Sequence, residues 1–379
     1  MIFEKKKFID FIKLQRGYDL TKEEIVDGVY PIVSSTSIIG FHNEYKMEGP
    51  GVVTGRSGTI GQVQYVEGRY WPHNTTLFVK DFKGNYPKFV YYFMKNFGLE
   101  GVKGGSAVPT LNRNSLSNIE VNIPNLNLQK RIAGILSSYD NLIKNNEKQI
   151  KLLEEAAQRL YKEWFVDLRF PGYEGEQIVD GVPKGWTRSI LNTYCEIKSG
   201  YAFKSKNWSN FGLGVVKIKD ISDCFINYFD CAKVSESTAQ KAINYQLNKG
   251  DLVIAMTGAT IGKIGISTKD NYYANQRVGK VFLGNSPIDK LPFAFCVLSQ
   301  DSSFQYIVKH SSSSSAQPNI SGEKIGNIPI LYNESYVSRF NSMLAPAFKK
   351  IINLKEEIEL CKESRDRLLP KLMNGEIEI

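Results

Sequence analysis

Two stretches of this chain place apolar residues at alternating steps of three and four over roughly ten helical turns each. No other feature of the sequence restricts the fold as strongly. The first runs from about Asn127 to Phe165, through Ile132, Ile135/Leu136, Tyr139, Leu142/Ile143, Asn146, Ile150, Leu153, Ala157, Leu160 and Trp164. The second runs from about Tyr336 to Met373, through Phe340, Leu344, Phe348/Ile351, Leu354, Ile358, Cys361, Leu368 and Leu372. Each is a single apolar stripe on an otherwise charged helix. At about 1.5 Å per residue such a helix is a rod of roughly 55 Å, too long for the core of a compact domain. Two exposed stripes of that length need each other. Asn125 or Asn127 can cap the first helix after Pro124, Pro171-Gly172 follows its last turn, and the second ends near Asn374-Gly375. Pro346 falls early in the second helix, where it either kinks the rod or marks its first turn.

The segments between the rods are short β-branched and aromatic runs punctuated by Gly, Asn and Ser. Strands are expected at Gly28–Val33, Gly51–Thr54, Ile60–Val66, Thr75–Val79, Val215–Ile218, Asp251–Met256, Gly262–Ile266 and Arg277–Phe282, and helices at Pro87–Asn96 and Pro292–Gln300. These are mixed α/β domains with β-sheet cores.

The two halves of the chain repeat one another. Arg16-Gly17-Tyr18 matches Ser199-Gly200-Tyr201, and Val52-Val53 leading to Ser57-Gly58-Thr59-Ile60-Gly61 matches Leu252-Val253 leading to Gly258-Ala259-Thr260-Ile261-Gly262. Ser106-Ala107-x-Pro109 matches Ser315-Ala316-x-Pro318, and Leu116-x-Asn118-Ile119 matches Ile325-x-Asn327-Ile328. Leu136, Ile143, Ile150 and Arg159-Leu160 fall on Leu344, Ile351, Ile358 and Arg367-Leu368. The chain is a tandem repeat of globular domain and long helix. The expected organisation is a first globular domain over 1–125, a central helix over 126–168, a second globular domain over 169–332 and a C-terminal helix over 333–379. A pseudo-twofold arrangement with an antiparallel two-helix coiled-coil spacer buries both stripes most simply.

Charge narrows the partners. Residues 1–125 carry 15 basic and 12 acidic side chains and residues 169–332 carry 18 and 13, so nearly all of the net charge of +9 lies on the globular domains. That balance either draws a polyanion or is a mildly basic surface that serves solubility, and domains held apart by a rod suit two short duplex sequences separated by an unread gap. The five cysteines (Cys195, Cys224, Cys231, Cys296, Cys361) never reach a C-x-x-C spacing, which argues against a zinc ribbon or a disulfide scaffold. No apolar run is long enough to cross a bilayer and the start, MIFEKKKFIDF, lacks a signal peptide's pattern, so a cytoplasmic protein is expected.

The segment Asn118-Ile119-x-Val121-x-Ile123-Pro124, continuing through Leu128-Gln129-Lys130-Arg131-Ile132-Ala133-x-Ile135-Leu136-Ser137-x-x-Asp140 to Leu160-Tyr161-Lys162-x-Trp164-Phe165 and Phe170-Pro171-Gly172, resembles the specificity subunit of Type I restriction–modification systems. The resemblance spans essentially the whole chain. The family's proline-rich lead and preceding glutamate are reduced here to Ile123-Pro124-Asn125-Leu126-Asn127, and the second repeat keeps only Tyr336-Val337-Ser338-Arg339. The resemblance implies two target-recognition domains reading a split DNA sequence, one half each. It further implies helices that dock methyltransferase subunits and, through them, motor–nuclease subunits. S-adenosylmethionine, ATP and Mg²⁺ would then be used by those partners, and this chain would be non-catalytic.

The residues agree with that implication. Asn122-Ile123-Pro124 and Asn327-Ile328-Pro329 lack the second proline and aromatic residue with which an adenine methyltransferase holds a flipped base. Thr257-Gly258-Ala259-Thr260-Ile261-Gly262-Lys263 is one residue short of a phosphate loop and reads as a strand-to-strand turn, which can still approach phosphates through its backbone. The three histidines, His42, His73 and His310, have no metal-ligand spacing. For DNA contact the candidates are Arg16, Arg56, His73, Asn74, Lys103 and Arg113 in the first domain. In the second they are Lys204, Lys206, Lys263, Gln276, Arg277, Lys309, His310 and Gln317. Arginine forks onto guanine, and Asn or Gln pairs with adenine in the major groove. The serine run Ser311–Ser315 is either an exposed linker or a segment that orders on a DNA backbone. Trp164, Phe165 and Trp186 are expected as core anchors, and Lys144, Lys148, Lys151, Glu154, Glu155, Lys355, Glu356 and Glu357 as exposed charges that either dock partners or face solvent. A scaffold that only joins proteins, or a methyltransferase with rearranged motifs, are the competing classes.

Overall fold

A computed structural model of the chain describes residues 3–57, 59–99, 110–312 and 317–379. The chain divides into two compact units, one of residues up to Ile143 together with Leu360–Ile379, the other Lys144–Glu359. Each therefore takes part of each long helix. The fold is mixed α/β, with two β-rich domains and two long helices.

In the first unit, β1 (Phe3–Lys7) pairs antiparallel with β9 (Glu120–Pro124). A short helix α1 (Phe8–Phe11) leads into a four-stranded sheet of order β2 (Lys13–Arg16), β8 (Thr76–Asp81), β5 (Gly51–Gly55), β6 (Val63–Val66). A three-stranded sheet holds β4 (Ile38–His42), β3 (Tyr30–Val33) and β7 (Trp71–Pro72). Every residue of β5 is buried, because it is a central strand covered on both faces. Helix α2 (Pro87–Asn96) lays Phe89, Val90, Tyr92, Phe93 and Met94 into the core, and α3 (Arg113–Ser117) adds Leu116. That core also contains Ile132, Ala133 and Leu136 from the start of helix α4 (Leu126–Tyr161), and Leu369, Leu372 and Met373 from the end of helix α9 (Glu334–Met373). The stripe thus meets sheet as well as helix.

Of the two possible caps, Asn125 closes α4: its Oδ1 accepts the Leu128 N–H at 3.0 Å and its backbone O the Gln129 N–H. The second helix starts the same way on Asn333, whose Oδ1 accepts from the Tyr336 N–H at 3.2 Å. Gln129 is buried and fully used. Its amide donates to Asn85 Oδ1 at 2.7 Å and Pro124 O at 2.9 Å, and its Oε1 accepts the Tyr86 N–H at 2.9 Å. This ties the first turn of α4 to the loop before α2. Deeper in, Asp140 accepts from the Tyr92 hydroxyl and from Arg365 of α9, both at 2.6 Å, with the two charged side chains only 16% and 23% exposed.

The second unit opens on a small hairpin of β10 (Ile178–Val179) and β11 (Val182–Pro183), followed by β12 (Thr187–Ile190), which pairs with β24 (Pro329–Tyr332). Its six-stranded sheet has the order β13 (Glu196–Ser199), β23 (Val278–Phe282), β20 (Leu252–Ala255), β21 (Ile264–Ile266), β17 (Phe225–Ile226), β16 (Ile221–Ser222). A five-stranded sheet follows β14 (Trp208–Ser209), β18 (Ala232–Val234), β15 (Leu213–Val216), β22 (Tyr272–Ala274), β19 (Gln246–Leu247). Helices α5 (Glu236–Gln240), α6 (Pro287–Leu298), α7 (Asp301–His310) and α8 (Gly322–Gly326) complete it. The expected Val215–Ile218 strand stops at Val216, because Asp220 accepts the Lys217 N–H at 2.8 Å and turns the chain into a short 3-10 helix. The expected helix at Pro292 begins earlier, at Pro287, with Pro292 inside it.

Helix α4 ends in a π-turn over Lys162–Val166. The consecutive residues Trp164 and Phe165 of this turn are both buried, each 4% exposed. They anchor an aromatic cluster with Phe170, Trp186, Phe293, Tyr336 and Phe340; Trp186 stacks on Tyr336 at 5.4 Å and Phe165 meets Phe340 edge-on at 5.3 Å. The helices run antiparallel in both units. In the first, Asp140 pairs with Arg365 while the earlier Leu136 shares a core with the later Leu372. In the second, Asn146 donates to Glu357 at 2.9 Å while Tyr161 meets Phe340. Pro346 lies within α9, roughly three turns past its start, and so does not mark the first turn. Leu142 departs from the expected stripe and is exposed.

Several of the expected surface charges are instead engaged or half-buried within the second unit. Glu356 pairs with Lys249 at 2.6 Å, Lys355 lies over the Phe225 ring at 4.9 Å, and Glu154 is half-buried with Oε1 lacking a hydrogen-bond partner among the described residues. The globular layer shields these positions, which a helical stripe read alone leaves on the outer face.

Burial pushes the Glu154 carboxyl up to about 7, with Lys355 opposing the rise. A carboxyl raised in the folded state favours folding most below its unfolded value near 4.5, and that advantage is lost as pH rises toward 7. Glu154→Gln should therefore stabilise the protein at pH 8 by roughly 1–3 kcal/mol, with the gain vanishing at pH 4, as read by urea unfolding across pH. Arg365→Ala should cost about 2 kcal/mol or more at pH 7, because it removes the partner of the half-buried Asp140; thermal unfolding measures it.

Candidate nucleic-acid interface

In the first domain the chain crosses itself just beyond β2. Gly17 donates to Thr76 O at 3.0 Å and Tyr18 to Pro72 O at 2.8 Å. A Cβ on Gly17 would stand 2.0 Å from His73 O, so only glycine allows the crossing. Around that crossing, His73 donates to Val33 O at 2.9 Å, Thr76 to His73 O at 3.0 Å, Arg56 to Thr75 O at 2.9 Å and Leu111 to Arg56 O at 2.8 Å. Four pieces of chain converge: the ends of β2 and β3, the Arg56 loop, and the turn His73–Thr75 with Thr110-Leu111 beside it.

The second domain repeats this lattice bond for bond. Gly200 donates to Val278 O, Tyr201 to Ala274 O, Asn275 to Val216 O, Val278 to Asn275 O, Met256 to Arg277 O and Ile320 to Met256 O, all between 2.7 and 3.0 Å. A Cβ on Gly200 would lie 2.3 Å from Ala274 O. Ser57 bridges to Thr110 in one domain and Thr257 to Asn319 in the other. These bonds equate His73 with Asn275, Asn74 with Gln276, Thr75 with Arg277, Arg56 with Met256 and Ser57 with Thr257. The backbone is shared and the side chains differ.

The lattice gathers several of the expected contact residues. In the first domain Arg16 and Asn74 both donate to Asp19, the arginine at 2.9 Å, and His73 Nδ1 lies 3.2 Å from Thr75 Oγ1. Arg56 sits in the middle, its guanidinium without a hydrogen bond or ion pair among the described residues. Arg113 begins α3, two residues past Leu111, beside Gln15 at a surface recess. Lys103 lies outside the described residues, as do Ser106–Pro109 and Ser313–Ala316.

In the second domain Arg277 donates to Asn319 Oδ1 at 3.2 Å, and Gln317 comes beside Gly258. Lys309 and His310 end α7, where the ring of His310 stacks on Tyr306 at 3.9 Å and its Nδ1 meets Tyr306 O at 2.8 Å. The chain then returns to the lattice as Ser312 donates to Asn319 O at 2.8 Å. Lys263 is exposed after the Gly258–Thr260 turn. Lys204 and Lys206 lie on a separate 3-10 turn leading into Trp208.

Lys217 was not among the expected contacts, yet it follows Val216 out of the lattice and sets its ammonium 3.9 Å over the Trp208 ring. Lys204 and Lys206 lie on the turn that leads into the same tryptophan. The sequence signal was the pairing of Ile32-Val33-Ser34 with Val215-Val216-Lys217, visible only once both strands are seen to end at the same bond. The one-residue offset at Ser57, which pairs with Thr257 rather than Gly258, reflects an extra residue in the second domain's loop: Gly55 donates to Gln62 O, Ala255 to Lys263 O.

Burial pushes the thiols of Cys195 and Cys231 up to about 12 and that of Cys224 up to about 11, so none is a thiolate nucleophile at neutral pH. Among the described residues no cluster of His, Cys, Asp and Glu could hold a metal ion, and no helix is long and apolar enough to cross a membrane.

Comparison with known proteins bears on the same two domains. The family profile described as the Type I restriction modification DNA specificity domain matches residues 3–155 and again 183–332. The specificity subunit of the Type I restriction enzyme MjaIX from Methanocaldococcus jannaschii is 26% identical over 312 residues, covering 77% of this chain and 69% of that one. The HindI specificity subunit from Haemophilus influenzae is 23% identical over 334 residues, covering 71% of each. In fold, the chain is similar to the crystal structure of a Type I restriction–modification S subunit from M. genitalium, with a TM-score of 0.66 at 18% identity over 98% of this chain and 96% of that one. The chain belongs to the Type I restriction–modification specificity-subunit family and carries two copies of its DNA specificity domain.

Proposed function

We propose that the protein reads an asymmetric, split duplex sequence, one half through each lattice, and delivers methyltransferase and motor–nuclease partners to it without catalysing either reaction. The observation that carries this reading is the repeated lattice itself. Two domains hold the same backbone geometry, and at its centre one presents Arg56, His73, Asn74 and Thr75 where the other presents Met256, Asn275, Gln276 and Arg277. A shared frame with different donors and acceptors recognises two different short sequences. Phosphate-seeking lysines stand beside it, Lys204, Lys206 and Lys217 in the second domain among them. S-adenosylmethionine, ATP and Mg²⁺ belong in this reading to the partner subunits, and the complex works in the cytoplasm where its DNA lies.

Selection of duplexes from a random pool by the full chain should return two fixed blocks separated by an unspecified gap. Lys217→Ala should weaken binding to all sequences alike and reduce the slope of log K against log[salt] by about 0.9, leaving both blocks unchanged. A pool that emerges without fixed blocks would rule the reading out.

A further inference from the structure

The two lattices differ in where they place their arginine. In the first domain Gly55 faces Thr76 across the β5–β8 ladder, and the next facing pair is Arg56 and Thr75, joined by the Arg56 N–H. In the second, Ala255 faces Val278 across β20–β23, and the next pair is Met256 and Arg277, joined by the Met256 N–H. The arginine has changed strands within one facing pair. Its companion does not compete: Met256 is 3% exposed, and Thr75 is short and occupied with His73.

We propose that this facing pair is the specificity-determining position of each half-site, and that each arginine forks onto the O6 and N7 of a guanine. This rests on the DNA-reading function above. Three observations support it. Arg56 has no hydrogen bond or ion pair among the described residues, so its donors are free for a ligand. Arg277 is steadied by one bond, from Nη1 to Asn319, which orients the guanidinium and leaves most of its donors unused. And the backbone beneath both is fixed by main-chain bonds, the rigidity a bidentate contact requires.

Facing Cα atoms in an antiparallel pair are about 5 Å apart. That shift is a large fraction of the roughly 12 Å width of the major groove, enough to move a guanidinium to a neighbouring base pair or to the opposite strand. The two half-sites therefore carry their guanine at different places relative to an otherwise equivalent domain.

The test is selection of duplexes from a random pool by the full chain and its variants. Arg56→Gln should abolish a guanine preference of roughly five- to 150-fold at one position of one block, leaving the other block intact, and Arg277→Gln should do the reverse. The untouched block in each variant reports that the chain is folded and bound. The double exchange R56T/T75R should restore a guanine preference in the first block at a shifted position. If both single variants weaken binding evenly and both blocks survive, the arginines hold phosphate and the proposal falls. If the exchange returns guanine at its original position, the facing pair does not set the register and the proposal also falls. Should the unmutated chain select no sequence, it is the DNA-reading function that fails.

Discussion

Neither long helix is stable on its own surface. A solitary amphipathic rod gains little from backbone propensity and depends on the burial of its stripe. Here each stripe is covered twice, by the antiparallel neighbour and by a globular layer: Leu136 and Leu372 share one core with Phe89 and Tyr92, while Tyr161 and Phe340 share another with Phe293. Each fully buried Leu or Ile along the stripe contributes on the order of 2 kcal/mol relative to exposure, so the helices hold the domains as much as the domains cover the helices. The polar interruptions fix register. Asn146 within the stripe reaches Glu357, and Asp140 binds Arg365 and Tyr92; a slip of one turn would leave these groups buried and unpaired.

Much of this was legible because periodicity is a local property. The stripes placed both helices to within a few residues, and the repeat placed the two β-rich domains. What failed were the decisions that need a neighbour. Asn125 and Asn127 are equally good caps as residues, and only the Leu128 N–H distinguishes them. Glu154 and Lys355 have the composition of a solvated face; they are half-buried because the β16–β17 hairpin brings Phe225 against Lys355 and Cys224 near Glu154. Trp164 and Phe165 lie on a π-turn rather than on a regular helix, and that turn leaves no simple mark in the sequence.

The candidate interface shows the same division. Arg56, Asn74, Gln276 and Arg277 were reachable by asking which side chains read bases, but their grouping was not, since the lattice brings together segments up to about a hundred residues apart by backbone bonds alone. The separation between equivalent residues also changes along the chain, as the extra residue after Thr257 shows, so a single alignment offset mispairs the loop.

Because the lattice is built of N–H and C=O groups, it makes few demands on the side chains it displays. Gly17 and Gly200 are held by sterics; Arg56, Thr75 and Arg277 are not. Stability resides in the cores and helices, and in the proposed reading recognition resides in side chains that a rigid frame carries at its edge. On that reading a substitution at Arg56 or Arg277 would change what is read without disturbing what folds. This separation explains how one architecture, repeated within a single chain, presents an arginine from one strand in its first copy and from the other strand in its second.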